Sequence, residues 1–88
     1  MDMRKLVGRN FGRLRQAKGL TQEDVSARSG FSQQYLSGLE RGIRNPTVIT
    51  LYELARALGV SHLDLVAVDE KTLSARRSTA RKPRRAKD

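Results

Sequence analysis

The stretch GFSQQYLSGLERG, from Gly30 to Gly42, decides how this chain is read. A glycine closes each end, and Ser32 stands where a helix N-cap belongs, followed by Gln33 and Gln34. On a wheel of about 100° per residue, Leu36 and Leu39 fall within about 60° of each other and define a buried side. Gln34, Ser37, Gly38 and Arg41 fall opposite, with Gln33 at the exposed N-terminal end, so the outer face is polar, narrow and small in its middle. Glu40 lies about 40° from Leu36, at the edge of the buried side. Such a face enters a groove more readily than one lined with bulky charges.

Working outward, the flanking segments also read as short helices. Met3, Val7, Phe11 and Leu14 form one apolar stripe in the segment Met3 to Lys18, which Gly19 stops. Thr21 opens the next helix in TQED, with Asp24 three residues on in the place of a capping-box partner, Val25 facing inward and Gly30 as the stop. Thr47 caps a fourth helix whose Val48, Leu51, Leu54, Ala55 and Leu58 make a dense stripe before Gly59. Ser61 with Asp64 starts a last short helix that runs to about Ala67. No segment alternates with period two, so the expected class is all-α, a compact five-helix bundle. Ser26 is small where two helices approach, and Phe31 is an apolar plug under the turn at Gly30.

The chain of 88 residues holds one core. It has no cysteine, which excludes a disulfide framework and cysteine-ligated metal, and its single histidine, His62, cannot build a metal cluster. No apolar run reaches membrane-spanning length and the N-terminus lacks a signal-peptide core, so a soluble cytoplasmic protein is expected. The net charge is +9. Residues 1–68 carry ten basic and six acidic side chains, and residues 69–88 carry eight and three. The second segment has only Leu73 as a sizeable apolar residue and is read as a flexible basic tail after the folded domain at 1–68. Its Arg76, Arg77, Arg81, Lys82, Arg84 and Arg85 suit non-specific phosphate contact.

A basic chain favours polyanions, and the paired amides sharpen that to bases. A glutamine side chain offers one donor and one acceptor, matching N6 and N7 of adenine in the major groove. A helix of about eight residues, a turn on Gly30 and a second helix of about nine compose a helix-turn-helix. With these residues in view, LRQAKGLTQEDVSARSG, FSQQYLSGLERG and RNPTVITLYELARALGVS resemble the phage-repressor-type (Cro/CI, XRE) helix-turn-helix proteins, over roughly Leu6 to Val66. The resemblance implies two-fold dimers on operator DNA that control transcription. It implies base contacts from Gln33, Gln34, Ser37 and Gly38, and backbone contacts from Gln22, Tyr35, Arg41, Arg44 and Asn45. It further implies a structural ion pair, Arg15 with Glu40. Two departures stand out. Gly38 replaces a base-reading side chain of many relatives, so that base is either approached closely or left unread. His62 replaces an apolar residue, and either caps or pairs locally or tunes an interface with pH.

The leading expectation is a sequence-specific double-stranded-DNA regulator acting as a homodimer without a cofactor or small-molecule substrate. The alternatives are a non-specific basic nucleic-acid-binding protein and a protein-binding module of antitoxin type. An enzyme is not expected, because no nucleophile–base pair, metal-ligand spacing or phosphate-cradling glycine loop is present. Ile49, apolar and outward-facing near Tyr52, is the candidate for a protein interface.

Overall fold

The computed structural model describes residues 1–68, and the tail arginines and lysine named above lie outside the described residues. Five helices follow in order: α1 Met3–Ala17, α2 Gln22–Ser29, α3 Gln33–Glu40, α4 Val48–Leu58 and α5 His62–Val66. There is no strand among the described residues.

Each start follows from a side chain that accepts the free N–H groups of a first turn. Ser32 accepts from the Tyr35 N–H at 3.0 Å and Thr47 from the Thr50 N–H at 3.0 Å. Thr21 and Asp24 form a reciprocal capping box, with both hydrogen bonds at 2.9 Å. The Thr21 backbone and hydroxyl hold the exposed Asp24 carboxyl below the ordinary carboxylate range. Ser61 and Asp64 repeat the box on α5. Asp2 caps α1, a role the sequence reading did not assign.

The stop after α3 turns the chain back over that helix. Gly42 is left-handed at φ 78°, and the chain folds back so that the Gly42 N–H donates to the Leu39 carbonyl and the Ile43 N–H to the Gly38 carbonyl, both at 3.0 Å. The segment 41–45 is thereby pinned to the last turn of α3.

Helix α1 packs on α3 and α5, α2 on α3 and α4, and α4 on α5. The core is Leu6, Val7, Phe11, Val25, Leu36, Leu39, Leu54, Ala55, Leu58 and Leu65. Two expected stripe residues are corrected: Met3 and Val48 are exposed at 49% and 79%. Each is the first residue of its helix, where the cylinder overhangs the core, and the first buried residue of α1 is Leu6.

Asn10 is buried inside the α1 stripe. Its Nδ2 donates to the carbonyls of Leu65 at 2.9 Å and Ala67 at 2.8 Å, and its Oδ1 accepts from Arg13 at 3.1 Å. A buried amide is tolerated because its hydrogen bonds are made, and here they satisfy carbonyls at the end of α5.

Candidate nucleic-acid interface

Helix α3 is held by its inner face and offers its outer one. Leu36 and Leu39 are fully buried, while Gln33 and Gln34 are exposed at the N-terminal end and Ser37 is half-buried. At the opposite end, Arg15 Nε donates to Glu40 Oε2 at 2.7 Å and Arg15 Nη2 to Glu40 Oε1 at 3.2 Å. Arg15 Nη1 also donates to the Leu20 carbonyl at 2.8 Å. One guanidinium therefore ties α1, the link into α2 and the end of α3, fixing the angle at which the two glutamines are presented.

Close packing sets the depth of α3 as well. A side-chain carbon on Gly8 of α1 would collide with the Leu39 carbonyl oxygen, so the two helices meet backbone to backbone. Gly12 faces the Glu40 carboxylate, where a Cβ would lie 3.2 Å from Oε1.

The remaining candidate residues are arranged as follows. Tyr35 is half-buried and stacks on Phe31, with ring centroids 5.2 Å apart and planes inclined by 23°. Burial raises the Tyr35 pKa, which the nearby Arg44 charge partly opposes, and the phenol stays protonated as a donor at neutral pH. Arg41, Arg44 and Asn45 are exposed on the pinned segment. Gln22 is the first residue of α2 and half-buried; Glu23 and Asp24 share its turn, so any phosphate there meets N–H groups beside two carboxylates.

Gly38 requires a correction. The helical wheel places it on the open outer face, but it is buried. The Arg44 side chain lies over it: a Cβ on Gly38 would be 2.9 Å from Arg44 Nε and 3.2 Å from Arg44 Cγ. From there the guanidinium reaches the Tyr35 ring, 5.5 Å from its centroid. A wheel treats a helix as isolated, and the turn at Gly42 brings a second segment over it.

Sequence reasoning missed the neighbours of this segment. The stem of Lys5 packs on Gly42, and Arg4 shares a shallow hollow with Asn45. Both are exposed, and Arg4 Nε lies 3.9 Å from Asp2 Oδ1, so Lys5 is the cation brought against the turn at Gly42. Only their charge could have signalled this. His62 is exposed beside Tyr52, with ring centroids 6.3 Å apart. Among the described residues there is no cluster able to hold a metal ion and no helix long and apolar enough to cross a membrane.

A capped α2, a left-handed turn and an α3 exposing paired amides beside a cationic loop define a DNA-binding helix-turn-helix regulator. The chain belongs to the HTH_3 helix-turn-helix family, whose pattern it matches over residues 12–65, and is of the Cro/CI (XRE) type. It is 78% identical over 72 residues to the HTH-type transcriptional regulator y4dJ of Sinorhizobium fredii, covering 82% of this chain and 94% of that protein. The restriction-modification controller protein C.AhdI of Aeromonas hydrophila superposes with a TM-score of 0.67 at 37% identity, covering 70% of this chain and 94% of that one. The controller protein C.Esp1396I, solved as a tetramer on its natural 35 base-pair operator, superposes with a TM-score of 0.68 at 32% identity, covering 74% and 86%.

Proposed function

We propose that this transcriptional regulator binds a pseudo-palindromic operator as a homodimer, with α3 in the major groove of each half-site. Gln33, Gln34 and Ser37 face base edges, while Gln22, Tyr35, Arg41 and Asn45 face the sugar-phosphate chain. The observation that carries this reading is the exposure of both glutamines at the free end of a helix whose other end is locked by Arg15 and Glu40. An amide pair on a rigid support reads hydrogen-bonding edges, whereas a purely electrostatic binder needs no such orientation. The operator-bound controller tetramer supports duplex DNA as the partner and assembly on it.

The test is titration of Gln33→Ala and Gln34→Ala against an operator selected from random duplexes and against random DNA. Each substitution is expected to cost about 1–3 kcal/mol at the operator and to relax one base position per half-site. Equal losses on random DNA would instead identify a non-specific binder, the reading that the charge of +9 favours.

The dimer has its own support. Val48, Ile49 and Tyr52 are exposed on α4, and Leu63 is exposed on α5 beside His62, which neighbours Tyr52. Pairing copies through this face would cover side chains that are otherwise left in water. Ile49→Glu is expected to leave the thermal midpoint within a few degrees, to shift the sedimenting species to monomer, and to convert cooperative operator binding into weak half-site binding. An Ile49→Glu protein that still sediments as a dimer would place the interface elsewhere.

A further inference from the structure

We propose that Arg44 is a specificity-determining residue that reads a base in the major groove, supplying from the loop the side chain that α3 lacks at Gly38. The assignment rests on the operator-binding reading above and replaces the backbone contact that the family resemblance implies for Arg44 with a base contact.

Three features converge on Arg44. The first is its path. The Gly42 turn, closed by the Ile43 N–H on the Gly38 carbonyl, returns the chain over the last turn of α3. The Arg44 stem then lies on Gly38 instead of leading away along the loop. Gly38 is one turn beyond Gln34, so the stem runs beside the amide face.

The second is the glycine itself. With Arg44 Nε 2.9 Å from where a Cβ would be, any side chain at position 38 would compete for the same space. Gly38 and Arg44 thus form one unit, a missing side chain and its replacement. A residue serving only as a phosphate clamp could extend into solvent and would set no such demand on α3.

The third is the support of the guanidinium. It sits 5.5 Å from the centroid of Tyr35, which stacks on Phe31, so the head group is held by two aromatic rings in series. Holding a long side chain in advance lowers the ordering cost of binding. A planar fork donates in parallel to guanine O6 and N7, and only a planar head group can be held flat on the Tyr35 ring beforehand; an ammonium can reach the same edge but without that support. The chemistry therefore selects a guanine as the base.

The experiment selects binding sites from random duplexes with the full chain, in wild-type form and as Arg44→Lys, Arg44→Ala and Gly38→Ser, followed by titration of the recovered sites at several salt concentrations. The expected wild-type consensus contains a guanine in each half-site that all three variants cease to prefer, with discrimination there falling by about 5- to 150-fold and the other positions kept. Arg44→Lys is the decisive variant. It retains the charge, so it should keep the salt dependence while losing the guanine. Gly38→Ser tests the same unit from the other side, by displacing an arginine that is still present. Arg44 is exposed and loses only its packing on Gly38 and Tyr35, so the melting midpoints of the two Arg44 variants should stay within a few degrees of wild type, which separates recognition from folding.

Unchanged consensus in Arg44→Lys and Arg44→Ala, with affinity lowered alike on every duplex, would overturn the assignment while leaving operator recognition by the glutamines intact. A wild-type selection that returns no consensus would overturn operator recognition itself, and this assignment with it.

Discussion

Replacing Gly8 with valine is expected to leave the domain largely unfolded at room temperature, and Gly8→Ala to cost about 3 kcal/mol. Helix propensity alone predicts the opposite sign, since alanine is favoured over glycine by about 1 kcal/mol in a helix interior. The difference lies in what stands opposite. A Cβ at position 8 would collide with the Leu39 carbonyl oxygen and lie 3.0 Å from that of Glu40. Both are backbone atoms of α3, so no rotamer change relieves the contact and the helices must separate. Separation would open the seam where Val7 and Phe11 face Leu36 and Leu39, all in the one core cluster. A folded unit of this size has a total stability of about 3–9 kcal/mol, so a loss near 3 kcal/mol consumes a large share and the added methyls of valine can exceed it. Urea unfolding followed by far-ultraviolet circular dichroism measures both variants. A Gly8→Ala protein as stable as wild type would show that α1 and α3 can part without cost.

Much of the fold was legible because it is local chemistry. Thr21 with Asp24, Ser32, Thr47 and Ser61 with Asp64 announce helix starts, and the glycines at 19, 30, 42 and 59 announce stops through the same backbone rule. The inner face of α3 was legible too, since Leu36, Leu39 and the core-edge place of Glu40 follow from helical period. Periodicity says nothing of where a helix outruns its neighbours, so Met3 and Val48 fit their apolar stripes and still lie outside the core. Nor does it identify a polar residue that belongs inside. Asn10 earns its place through carbonyls 55 and 57 residues away in sequence. The site divides along the same line. The glutamines were readable from one helix, whereas the covering of Gly38 by Arg44 depends on a loop folding over that helix, which no pattern within either segment encodes.

The second large effect is expected at the Arg15–Glu40 pair. Removing one member of a buried ion pair costs about 3–5 kcal/mol, because the survivor is left desolvated and unpaired. Here the side chains retain 13% and 18% exposure, so water can reach the survivor and the expected cost falls to about 2–4 kcal/mol for Glu40→Ala or Arg15→Ala. Arg15→Ala should be the more damaging, since it also releases the Leu20 carbonyl that Nη1 satisfies. Arg15→Lys should recover only part of the loss. An ammonium is a point donor and cannot span both Glu40 oxygens and the Leu20 carbonyl as the guanidinium fork does. The double variant is informative in a different way. If the pair acts as a unit, Arg15→Ala with Glu40→Ala should be no worse than the poorer single variant, giving a coupling at least as large as the milder single loss, about 2 kcal/mol or more, in a double-mutant cycle. Effects that simply add would mean two independent side chains. The functional consequence follows from position. Glu40 ends the helix that Gln33 and Gln34 begin, so loosening it should tilt both amides together. Operator affinity should then fall further than random-DNA affinity, under conditions where circular dichroism still reports a folded chain. Equal loss on both DNAs would show that the pair supports stability without orienting the amides.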